Sequence, residues 1–275
     1  MNSKIAEAIG LANHPVALVW ADTAPEGAAQ FAPGRWGCVI SLIAAVAAKG
    51  RTAAFARDTC GCFGGGVGLG FGDCYKDFPG GVEGFCGFLS DGNDKTELGR
   101  QIGHGMAQSG AKRMADDFLL GERYLKSPET VKRFLAWLPI QDIPAKYVVA
   151  KPLSEADPEK DNIQNVTFFV EPDALSALVI LANHREPDNE NVATIWAAAC
   201  QVIGVLAYRE AQQEHPRALI GMTDLSARKN TRGTLGPHIM SLTIPWNMFQ
   251  RMEEDVENSF LQRETWYSLQ EKTEA

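Results

Sequence analysis

The chain has 275 residues, 45% of them hydrophobic and 22% charged, with a formal net charge of −8. That composition belongs to a globular protein with a large core, and it excludes both a disordered chain and a small disulfide-stapled scaffold. No Lys/Arg run stands against the acidic balance, so neither nucleic acid nor an anionic membrane surface is an expected partner.

In chain order, Ser3 to Leu11 reads as a short amphipathic helix and Pro15 to Trp20 as a buried strand. Thr23 to Gly37, rich in Pro, Gly and Ala, reads as a loop. Cys38 to Lys49 reads as a helix with Gly50 as its C-cap, followed by a strand at Thr52 to Ala56. The glycine- and cysteine-rich stretch 57–93 reads as one long loop. From Glu97 to Leu138 apolar residues recur at three- and four-residue spacing, the mark of helices, and Ser127 before Pro128 is a helix start. Strands are expected at Tyr147 to Pro152, Asn165 to Val170, Arg217 to Thr223 and Ile239 to Ile244. Helices are expected at Pro172 to His184, Val192 to Ala211 and from Pro245 onward, with a last amphipathic segment at Phe260 to Leu269. The basic segment ARKNTRG, with Arg228, Lys229 and Arg232, reads as a solvated turn. Interleaved strands and helices give an α/β class, with mixed α+β as the alternative: a central sheet flanked by helices, in a single domain over 1–275.

The longest apolar run of the first third, Val39 to Ala48, is about ten residues, against the ~20 a membrane span needs. The first twenty residues lack the basic, apolar and small-residue succession of a secretory signal. A cytoplasmic location is therefore expected. In that compartment thiols stay reduced, and clustered cysteines favour metal or redox chemistry over structural disulfides.

Four of the six cysteines, Cys60, Cys62, Cys74 and Cys86, lie in the stretch that also holds twelve of the 26 glycines. Ordering so much glycine is costly, and a bound metal centre would compensate. Cys38 opens a helix, where the dipole favours a thiolate. Cys200 lies on an apolar helix face, where a cysteine more often packs as a small hydrophobe. Zinc signatures built on paired Cys-x-x-Cys, or on a Cys pair with a His pair, are missing, and the spacing matches no ferredoxin run. The thiols thus name a chemistry and not a metal. An iron–sulfur cluster is the first expectation and zinc the second. The histidines are scattered, and FGGGVGLGFG lacks the spacing of a nucleotide-binding loop.

The order of several segments resembles an uncharacterised prokaryotic family, domain of unknown function 169. They are PVALVW, RWGCVISLIAAVAAKG, CFGGGVGLGFG, NVTFFVEPDALSALVILANH, AAACQ and IPWNMF. The resemblance covers nearly the whole chain and implies a fold and a residue set, not a reaction. It carries over to Cys38, Cys62 and Cys200 and implies that the three meet at one site. Many members carry a Gly-Cys…Cys-Arg segment before the last strand. Here that segment is GMTDLSARKNTRG, without cysteine, and Cys60, Cys74 and Cys86 are candidate replacement ligands.

The leading expectation is an iron–sulfur protein that passes electrons or activates a small substrate, an oxidoreductase if it is an enzyme. Cys60, Cys62 and Cys86 rank first as ligands, Cys38 and Cys200 next, Cys74 last. No catalytic residue is assigned. The alternatives are a non-catalytic protein handling or sensing zinc or another soft metal, and a metal-free small-molecule binder with the glycine stretch as a lid. The partner is an electron-transfer protein or a small molecule, with a homodimer as the commonest oligomeric arrangement.

Overall fold

Apolar, β-branched runs form the sheet expected from the sequence, with one strand more. In the computed structural model, which describes residues 1–33, 36–185 and 188–270, the strands are β1 (Val16–Ala21), β2 (Ala53–Ala56), β3 (Tyr147–Pro152), β4 (Asn162–Val170), β5 (Val192–Thr194), β6 (Ala218–Gly221) and β7 (Met240–Pro245). Among the described residues they make one seven-stranded sheet in the order β2-β3-β1-β4-β7-β6-β5. Neighbours are antiparallel except β5 and β6, which run parallel. A parallel pair needs a crossover, and the helical segment 199–211 supplies it. The class is mixed α/β.

Successive strand residues face opposite sides. On one side Val19, Val149, Val166, Phe168, Leu242 and Ile244 build a continuous core with Leu178 and Leu181 of helix Pro172–Ala182 and with Phe249 and Met252 of helix Trp246–Asp255. On the other side lie Asn165, Thr167, Ser241 and Thr243, all fully buried. This polar row lies under the 199–211 segment: Asn165 Nδ2 donates to the Ile203 carbonyl at 2.8 Å, and the Thr167 and Thr243 hydroxyls meet at 3.0 Å. Helix Val39–Lys49 packs on the same face and ends at Gly50 in the left-handed region, φ 64°, as the sequence indicates.

Three sequence expectations are corrected. The run Val192 to Ala211, read as one helix, opens with β5. It then forms a short helix, Ala199–Gln201, a π-turn over Val202–Leu206 with Gly204 outside the helical region, and a last helical turn, Ala207–Ala211. Apolar, β-branched sequence suits either conformation, and pairing with β6 decides for a strand at its start. The basic segment read as a turn lies within helix Leu225–Leu235, capped by Asp224. The stretch 57–93, read as a loop, contains helices Phe63–Leu69 and Gly81–Leu89 and a 3-10 turn, Cys74–Asp77. Glycine is a poor helix former, but it is required where backbones touch. Of the loop Thr23 to Gly37, positions 34 and 35 lie outside the described residues.

The chain divides into two compact units, Met1–Gly70 with Ile143–Ala275, and Phe71–Asp142. The first contains the sheet. The second is helical and has an aromatic core in which Tyr75 stacks on Phe85 at 4.1 Å and Phe78 meets Phe85 edge-on at 5.2 Å. A Cβ on Gly84 there would stand 2.1 Å from the Pro79 carbonyl oxygen. Among the described residues no helix is long and apolar enough to cross a membrane.

Candidate functional site

The sheet unit gathers Cys38, Cys60, Cys62 and Cys200, which come from three separate parts of the chain. Two of them are helix N-caps. Cys38 precedes helix Val39–Lys49 and Cys62 precedes helix Phe63–Leu69, where its Sγ accepts the Gly65 N–H at 3.3 Å. The Cys38 Sγ accepts from Asn230 Nδ2 at 3.5 Å, which links it to helix Leu225–Leu235. The Cys60 thiol points back toward the Cys62 carbonyl, 3.8 Å away.

Cys200 stands at the start of the segment that crosses from β5 to β6, and its thiol donates to the Gly64 carbonyl at 3.5 Å. Glycine makes this approach possible. A Cβ on Gly68 would sit 2.7 Å from the Cys200 carbonyl carbon and 2.9 Å from the Gln201 nitrogen, and a Cβ on Gly65 would sit 2.5 Å from Val39 Cγ2. The glycines of FGGGVGLG therefore let this helix set its backbone against that of the Cys200 segment and take up the Val39 side chain at Gly65.

Burial pushes the Cys200 thiol well above the usual thiol range, and charge on Cys62, Asp224, Cys38 and Cys60 would push it further. These four groups therefore lie near enough for their charge to act on the Cys200 thiol. Asp224 is largely buried. Desolvation raises its pKa, against the N–H groups of Ala227 at 2.6 Å and Ala199 at 2.7 Å, which favour the charged form. Opposed to the cost of negative charge here are the helix N-termini at Cys38 and Asp224, whose dipoles favour it.

Cys74 and Cys86 belong to the helical unit. The Cys74 thiol points to the Phe71 carbonyl at 3.7 Å. Cys86 is fully buried on helix Gly81–Leu89, between Phe85 and Gly87, and burial raises its thiol pKa, with Lys132, Glu83 and Glu129 as its charged surroundings. Of the six candidates, then, the structure unites Cys38, Cys60, Cys62 and Cys200. Among the described residues no group of three or more His, Cys, Asp or Glu side chains is arranged to hold a metal ion.

Sequence reasoning passed over Asp224 and Asn230. Asp224 had a readable signal, since an Asp before Leu-Ser-Ala is a preferred N-cap. Asn230 had none, because its contact with Cys38 spans 192 positions.

Fold and site define a mixed α/β protein with a cluster of cysteines around a glycine-lined helix contact. The family described as uncharacterised ArCR, domain of unknown function 169, matches residues 4–255, and the chain belongs to it. No curated protein and no solved structure matches the chain.

Proposed function

We propose that Cys38, Cys60, Cys62 and Cys200 form a thiolate centre for a soft metal, with an iron–sulfur cluster as its leading occupant and a redox role as its use. One observation carries the proposal: the buried Cys200 thiol donates to the Gly64 carbonyl, next to the Gly65 N–H that donates to Cys62, and Gly65 itself lies against Val39, the residue after Cys38. The donor set fits. Four cysteines match the ligand count of common clusters. The Gly65 N–H on Cys62 and the Asn230 amide on Cys38 are hydrogen bonds of the kind that tune a cluster's potential. The thiols as they stand do not converge on a point, so ligation requires their side chains to turn. Such a group would supply one-electron transfer, or a Lewis-acidic iron for a small substrate. The chain's own part is to exclude water around Cys200 and to hold N–H donors on the sulfurs. The partner is correspondingly an electron-transfer protein or a small molecule.

The test is protein purified without oxygen, measured for visible absorption, iron, zinc and acid-labile sulfide. Iron and sulfide together with a band near ~400 nm support the cluster reading. Zinc alone moves the centre to metal handling or sensing. Protein without metal, never exposed to air, overturns both and leaves a small-molecule binder.

A further inference from the structure

We infer that Asp224 is the positioning residue for Cys200. Its carboxylate holds the start of the helical segment on which Cys200 stands. The Ala199 N–H, immediately before Cys200, donates to Asp224 Oδ2 at 2.7 Å across 25 positions of sequence. The N-cap residue, Ala198, has no side-chain acceptor, and Gln201 Oε1 accepts the Ala198 N–H at 3.1 Å. Asp224 Oδ1 accepts the Ala227 N–H at 2.6 Å. One carboxylate thus caps two helices and fixes the start of each relative to the other.

The turn that delivers Asp224 supports the assignment. Met222 is buried and holds a left-handed backbone, φ 61°, which residues with a Cβ avoid. The next residue, Thr223, donates its hydroxyl to the Ile195 carbonyl at 3.4 Å. The turn after β6 therefore grips the segment ahead of Cys200 at two places, Ile195 and Ala199. Local strain that persists in a core is held by its surroundings and collects at functional sites. An asparagine could not reproduce the grip, because its side-chain oxygen can accept while its nitrogen can only donate.

The consequence for function rests on the reading of the four cysteines as a site. The positioning role does not need that site to hold metal, and the test separates the two. The full chain is purified without oxygen and its metal content recorded. After chelation each cysteine is alkylated and its rate followed by peptide mapping, in the native protein, D224A and D224N. Cys86, in the other unit, is the internal reference. The expected result is a rise of roughly fivefold or more in the Cys200 rate for D224A and a smaller rise for D224N, with Cys86 unchanged, as loss of a cap frays a helix end. If D224A does not fold, D224N carries the test alone. An unchanged Cys200 rate, or an equal rise at Cys86, overturns the assignment. A metal-free native protein would overturn the metal centre and leave this outcome readable.

Discussion

Gly204 stands directly over Gly68, and a Cβ at Gly204 would lie 1.9 Å from the Gly68 carbonyl oxygen. The kink at Gly204, φ −101° and ψ −105°, is where the crossover segment bends past the glycine helix. The cysteine site depends on this contact, since Cys200 and Cys62 sit on its two sides.

Gly204→Ala is accordingly expected to destabilise the protein by about 2–3 kcal/mol, the cost of forcing volume into a closed contact. Gly233 is the control. It lies in helix Leu225–Leu235 with nothing within 4 Å of a Cβ, and Gly233→Ala should stabilise by about 0.5–1 kcal/mol. Urea midpoints compare the two. Similar effects at both positions would mean that the Gly68 contact is loose in solution.

The Thr167 and Thr243 hydroxyls satisfy each other in a fully buried place. Thr167→Val orphans its partner and should cost about 1–2 kcal/mol, whereas the double Val variant should return close to the native value. Additive single effects in a double-mutant cycle would show that the hydroxyls do not depend on each other.

Asn165 supports the π-turn through the Ile203 carbonyl. Asn165→Ala leaves that carbonyl without its amide donor, and a loss of about 1–3 kcal/mol is expected. Hydrogen exchange should report faster opening at Val202–Leu206 than at the strands. Uniform exchange across the unit would argue that Asn165 only fills space.

Burial raises the Cys86 thiol pKa in the folded protein. A raised value means that folding favours the neutral thiol. This contribution is whole below the unfolded value, about 8.5, and is lost as pH rises through the folded one. Cys86→Ala should therefore lose less stability than the native protein between pH 7 and pH 10, measured as urea midpoints, and should keep whatever metal the protein carries. Equal losses would show that Cys86 does not titrate differently on folding. Loss of metal would bring Cys86 into the centre.

All strands but β5 were legible because each is a short apolar run between turn signals, and Tyr147–Pro152 falls where its sequence places it. Local punctuation was equally readable: Gly50 ends a helix at positive φ, and Ser127 before Pro128 begins one, with the Ser127 hydroxyl accepting the Thr130 N–H. These features are decided within a few residues, by backbone sterics and by caps.

The grouping of the cysteines was not decided locally. Nearness in sequence joined Cys60 and Cys62 to Cys74 and Cys86, and only the family resemblance pointed from Cys62 to Cys38 and Cys200; the fold sets Cys200 against Gly64, two residues after Cys62, and places Cys74 and Cys86 in the other unit. The same holds for the glycines. Their composition describes a loop, because propensity counts the missing side chain only as lost helix stability. In the folded chain that missing side chain is what lets Phe63–Leu69 remain helical against the Cys200 segment. Sequence by itself determined six of the strands, the helices marked by caps and apolar spacing, and the kind of chemistry that thiols can do. Which thiols share an environment, and the carboxylate of Asp224 that anchors one of them, depended on contacts between residues far apart in the chain, which only the tertiary structure brings together.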